Sequence, residues 1–151
     1  MKSVVLTGKR SFTVKDLEEP VSKDGSVVIH VKKAGICGSD IHYWDIGEPE
    51  GLVLGHEFCG TVLDPGNCDD LKIGDRVTAL PISPCMHCPA CETGNVQYCR
   101  ETWTYAAGLS LTNPGALASK MSVRSDMVMK VPDNVTDEEM AMVEPTAVAR
   151  Y

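Results

Sequence analysis

Apolar and polar residues alternate along Ser26–Lys33, with Val27, Ile29 and Val31 on one face and His30 and Lys32 among those on the other. That period of two predicts a half-buried β-strand. Glu57–Leu63 and Arg76–Leu80 predict further strands, the second entered through the turn Gly74-Asp75, and Ala118–Val123 with Met127–Val131 predict a later pair. Only two helices are suggested. A short one follows Ser39 over Ile41–Trp44, and another starts after Thr136, where Thr136-Asp137-Glu138-Glu139 is a capping box ahead of Met140, Ala141 and Val143. Between the strands, Pro81–Gly115 is rich in Pro, Cys, Gly and Asn and has little periodicity. So long an irregular excursion in a compact domain needs a staple. The pattern predicts a mostly β domain with a stapled lobe and few short helices.

Composition narrows the class. With 151 residues, 43% of them hydrophobic, the chain can bury the core of one domain. A formal net charge of -7 argues against a nucleic-acid surface, which would cluster Lys and Arg. No apolar run reaches membrane-spanning length, and the apolar part of Met1–Gly8 is too short for a signal peptide. These features predict a cytoplasmic protein with neither nucleic-acid nor membrane partners. In a reducing compartment its seven cysteines call for another explanation than disulfides.

Cys85, Cys88 and Cys91 stand at two-residue gaps and Cys99 follows after seven more residues. Four thiolates suit a closed tetrahedral zinc site, whose work is to hold an irregular loop. An iron–sulfur cluster also uses paired two-residue gaps, but its fourth cysteine usually follows after three residues and precedes Pro, whereas Cys99 precedes Arg100. Zinc is the better match. His87, inside the lobe, reads as a solvent-facing turn residue, because four thiolates already close the shell.

A second constellation is spread along the chain. Cys37 lies in Gly35-Ile36-Cys37-Gly38-Ser39-Asp40-Ile41-His42, and His56 and Glu57 lie in Leu54-Gly55-His56-Glu57-Phe58-Cys59-Gly60. A thiol, an imidazole and a carboxylate are zinc-binding types, and three protein ligands leave a fourth position for water or substrate. Glu144, in Met142-Val143-Glu144-Pro145, is a second carboxylate that could approach the same ion. Singly, each residue has a plainer reading: Cys37 as a small buried hydrophobe, Ser39 as a helix N-cap, His42 and His56 as structural histidines.

In their order along the chain, these motifs resemble the zinc-dependent medium-chain dehydrogenases. The resemblance covers almost all of the sequence and rests on Cys37–His42, Gly55-His56-Glu57 with Gly60, Gly74-Asp75-Arg76-Val77 and the four-cysteine lobe. Glu144-Pro145 is similar to the branch that holds sorbitol and threonine dehydrogenases. The resemblance implies a GroES-like, partly open barrel over residues 1–151 and two zinc ions, one catalytic and one structural. Cys37 and His56 would ligate the catalytic zinc, with Glu57 and Glu144 sharing the remaining protein position. Asp40 would accept the free ring N–H of His56, Ser39 would take the proton of the bound alcohol, and His42 would relay it outward. It further implies an alcohol or polyol substrate and a homo-oligomeric full-length enzyme using NAD or NADP. No G-x-G-x-x-G turn occurs in these residues, so the resemblance places the Rossmann cofactor domain beyond Tyr151 and predicts a piece inactive alone. Pro65–Asp70 and Asp45–Val53 are shorter than is usual in the family. The second stretch can line the substrate entrance, which leaves the substrate open. The rival reading is a non-catalytic zinc module that binds a partner through its lobe.

Overall fold

The structure, a computed structural model, describes residues 1–23 and 25–150. Its main sheet has five antiparallel strands in the order β6-β3-β4-β5-β7, namely Lys120–Arg124, Ser26–Ala34, Phe58–Asp64, Arg76–Ala79 and Val128–Lys130. The two edge strands, β6 and β7, are consecutive in sequence, joined only by a 3₁₀ turn at Ser125–Met127. Four residue steps span at most about 14 Å, so the sheet must curl until its edges approach. The result is a partly open barrel, mostly β with few short helices. The expected strands over 26–33, 57–63 and 76–80 are present within a residue at each end. The two later segments do not pair with each other: β6 joins β3 and β7 joins β5, because curling sets them on opposite edges.

A separate hairpin, β1 (Lys2–Gly8) and β2 (Ser11–Asp16), precedes the barrel. Strand β1 is sewn to the rest of the chain by Val4 N–H to Leu117 O at 2.7 Å and Leu6 N–H to Leu52 O at 2.8 Å. Inside the barrel, Val27, Ile29, Phe58, Val62, Val77, Met121 and Val123 form the largest buried cluster. They supply most of the apolar burial on which the fold depends.

Four short α-helices occur among the described residues: α1 (Gly38–Ile46), α2 (Pro89–Glu92), α3 (Asp137–Ala141) and α4 (Val143–Arg150). Helix α1 starts earlier than expected, with Cys37 rather than Ser39 at the N-cap. Its third helical residue, Asp40, accepts the Cys37 N–H at 2.9 Å, so a carboxylate rather than a hydroxyl caps this end. At α3 the capping box is formed as expected: Thr136 Oγ1 accepts from Glu139 N at 3.2 Å, and Glu139 Oε2 from Thr136 N at 2.8 Å. The helix stops at Ala141 and a second one starts at Val143. Pro145 lacks the N–H that an uninterrupted helix would donate back to Ala141.

Candidate metal centre

Strand β3 runs out at Ala34 and delivers Gly35 and Cys37 to the mouth of the barrel, while the segment entering β4 delivers His56 and Glu57. One ligand atom each from Cys37, His56 and Glu57 lies within 4.8 Å of the other two. His56 and Glu57 are buried and Cys37 is half-buried. Backbone geometry brings them together. Gly35 N–H donates to Glu57 O at 2.7 Å, and a Cβ added at Gly35 would overlap the Glu57 carboxylate. Gly55 has a φ of +97° and lies so close to the 116–117 backbone that a Cβ would be 2.9 Å from Leu117 N. Only glycine fits there, and that tight passage aims His56 and Glu57 at Cys37.

The surroundings of His56 suit a cation. Its Nε2 is 3.5 Å from Ser39 Oγ. Its Nδ1 is 3.6 Å from Asp40 Oδ1, too long for a hydrogen bond, and is left as a buried nitrogen without a hydrogen-bond partner. Asp40 is also buried and is held by the N–H groups of Cys37 and Gly55. Burial pushes the imidazole down, but the Asp40 carboxylate and then Cys37 more than reverse this and lift it to about 9. The pocket therefore favours positive charge at the point where thiol, imidazole and carboxylate converge. An imidazole ligated through Nε2 keeps its proton on Nδ1, and Asp40 stands beside that atom. The donor set and its buried nitrogen fit a divalent zinc-class ion.

Glu144, at the start of α4, is outside that close trio but lines the same cleft of about 420 Å³ as Ser39, Tyr43 and His56. Burial, opposed by the charge of His56 and reinforced by that of Glu57, raises its carboxyl above the usual range. The rest of the cleft wall is apolar, formed by Leu80, Pro81, Ile82, Trp103 and Leu109. His42, one helical turn beyond Ser39, is exposed. Sequence reasoning did not assign a role to Gly35 or to the apolar wall. A glycine two residues before a candidate ligand was the available signal for the first. The wall comes from positions remote in sequence that carry no motif.

The four lobe cysteines also converge, with one sulfur from each of Cys85, Cys88, Cys91 and Cys99 inside 4.8 Å. The Cys88–Cys91 and Cys85–Cys91 sulfur separations are 3.6 and 4.0 Å. Zinc–sulfur bonds of about 2.3 Å give a tetrahedral edge of about 3.8 Å, so these separations match a four-thiolate shell. All seven cysteines are free thiols. Backbone N–H groups of Cys85 and Glu101 both point at the Cys99 sulfur at 3.4 Å, and the first of these leads in drawing that thiol down to about 6. Burial and the neighbouring Cys88 push Cys91 up to about 12. Four sulfurs gathered at contact distance have no cationic partner among themselves, and a shared metal ion would satisfy all of them.

Among the described residues no helix is long and apolar enough to cross a membrane. The profile of the alcohol dehydrogenase GroES-like domain matches residues 23–133. A probable D-xylulose reductase A of Aspergillus terreus is 36% identical, the match covering 97% of this chain and 43% of the relative. The galactitol-1-phosphate dehydrogenase of Escherichia coli superimposes with a TM-score of 0.89 at 29% identity, over 99% of this chain and 43% of that one. A putative zinc-binding dehydrogenase of Sinorhizobium meliloti 1021, solved bound to NADP, gives a TM-score of 0.82 at 30% identity, over 93% and 41%. The chain thus spans about two-fifths of the length of the proteins it matches.

Proposed function

This chain belongs to the alcohol dehydrogenase GroES-like domain family of the zinc-dependent medium-chain dehydrogenases, and from that premise we propose that it is the metal-holding catalytic domain of an NAD- or NADP-linked alcohol or polyol dehydrogenase. The observation that carries the proposal is the convergence of Cys37, His56 and Glu57, of which His56 opens onto a cleft lined also by Ser39 and Glu144. Those three residues would hold a zinc ion, which would supply Lewis acidity to a substrate hydroxyl oxygen. Asp40, its carboxylate 3.6 Å from His56 Nδ1, favours the tautomer that leaves Nε2 free for the ion. Ser39 Oγ, beside His56 Nε2 and lining the cleft, would accept the substrate hydroxyl's proton while giving up its own. His42, at i+3 on α1 and exposed, would pass the released proton on to solvent. Glu144 adds a second carboxylate, as an alternate or water-mediated ligand. The apolar wall holds the carbon skeleton and excludes water from the reacting carbon. The four-thiolate lobe holds a second, structural zinc. The dinucleotide domain lies outside residues 1–151, which contain no phosphate-cradling glycine turn.

Metal analysis of the zinc-reconstituted chain tests this directly. Two zinc ions per chain are expected, and Cys37→Ser should leave about one. A single zinc in the parent chain, confined to the lobe, would favour the non-catalytic interaction module instead. The protein that contains this chain should oxidise alcohols or polyols with NAD or NADP and lose that activity with Cys37→Ser.

A further inference from the structure

We propose that Cys85, His87 and Glu101 form a second, open divalent-metal station on the outer side of the four-thiolate lobe, through which a zinc-class ion enters and leaves the closed site; this rests on reading that lobe as a metal site. One ligand atom each from these three residues lies within 4.8 Å of the others. They line a cleft of about 420 Å³ together with Tyr105, Asn113 and Arg124. His87 and Glu101 are exposed and Cys85 is half-buried.

The His87 ring is anchored at the lobe. Its Nδ1 is 2.7 Å from Cys85 O and donates to that carbonyl, so the neutral ring keeps its lone pair on Nε2. The Glu101 backbone N–H is tied to the Cys99 sulfur, so its side chain leaves from the lobe itself. The one cationic group in this cleft, the Arg124 guanidinium, is turned to the Asp126 carboxylate at 2.5 and 2.9 Å and to Pro84 O. That pairing turns part of its charge away from the Cys85 thiol, with which it also interacts.

A four-thiolate shell fills one ligand at a time, and this arrangement offers the ion a first foothold beside it. Cys91 and Cys99 are buried, and a hydrated ion must exchange its waters one ligand at a time to reach them. Cys85 belongs to both groups. An ion held by Cys85, His87 and Glu101 already has one of the four thiolates. It completes the transfer by exchanging an imidazole, a carboxylate and its remaining water for Cys88, Cys91 and Cys99. Mixed sulfur, nitrogen and oxygen ligands select zinc, cobalt or cadmium over magnesium or calcium.

The test adds Co²⁺ to the metal-free, reduced chain in a Cys37→Ser background, so that every cobalt–thiolate band comes from the lobe. A fast phase with a weak, single-thiolate band should precede growth of the four-thiolate spectrum. H87A/E101Q should lose the fast phase and load about tenfold more slowly, yet reach the same final spectrum and one cobalt per chain. Equal rates and phases in the two proteins would overturn the station. So would failure of the double variant to reach the four-thiolate spectrum, since His87 and Glu101 would then belong to the lobe's own integrity. Absence of that spectrum in the parent would instead overturn the four-thiolate reading.

Discussion

Gly35→Ala should remove a metal ligand without touching one. A Cβ at residue 35 would overlap a Glu57 carboxylate oxygen and lie 3.1 Å from Glu57 Cβ. The Gly35 backbone is outside the left-handed region, so alanine is conformationally allowed there. The unfolded-state gain of Gly→Ala, about 0.4–1 kcal/mol, offsets part of an overpacking cost of about 1–3 kcal/mol. The fold therefore survives, and relief comes from the side chain that can move, Glu57. Displacing its carboxylate should weaken the Cys37–His56 site about 10–100-fold, or about 1.4–2.7 kcal/mol, while the lobe keeps its affinity. Competition against a chromophoric chelator, reading both zinc ions, measures this. In a Glu57→Ala background the same substitution should add little, because only the 3.1 Å contact with the residue 57 Cβ then remains. An unchanged affinity in Gly35→Ala, or an equal further loss without Glu57, would refute the reasoning.

Cys99→Ser should empty the lobe and loosen residues 81–101, lowering zinc from two to about one per chain by elemental analysis while the Cys37–His56 site stays filled. The metal-free chain should weaken with rising pH. His56 is lifted from 6.5 to about 9, so its contribution is complete below about pH 6.5 and is lost as pH rises through about 9, amounting to about 3 kcal/mol. Asp40→Asn should flatten that dependence, as read by urea denaturation at about pH 6 and about pH 10. Arg76→Ala should cost about 1–3 kcal/mol in thermal unfolding. It strips the donors from Pro132 O at 3.3 Å, Val135 O at 2.6 Å and Asp137 Oδ1 at 2.8 Å, the contacts that hold the approach to α3 against the barrel.

Much of this was legible in the sequence because it was local. Strands β3, β4 and β5 carry their burial in their own composition, the Thr136 capping box lies within four residues, and the lobe cysteines are spaced as a loop site. The β1–β2 hairpin was hidden. Its turn uses Lys9 and Arg10, with Arg10 at a φ of +56°, and shows no Asn-Gly or Asp-Gly signal; β2 does alternate, with Phe12 and Val14 between polar residues, yet both are exposed, so that alternation marks no core face. Opposite-edge placement of β6 and β7 depends on the curl of the whole sheet, which no single segment encodes. The position of Glu57 likewise depends on the absence of an atom at Gly35, a feature that only the assembled strands reveal.

The lobe and the cleft are also one mechanical problem. Pro81, Ile82, Trp103 and Leu109, most of the apolar wall, belong to the irregular excursion that the four cysteines staple. That excursion has few ladder bonds of its own; its ends are held by Ser83 N–H to Thr102 O at 3.0 Å and Ala107 N–H to Pro81 O at 2.8 Å. Arg124 fastens it to β6 through Pro84 O. An unstapled segment of this composition would sample many conformations, and the wall facing Ser39 and His56 would be lost with it. On the proposed reading, a closed metal site that activates nothing would therefore still govern catalysis at the open one, by fixing the surface against which the substrate carbon skeleton would be pressed.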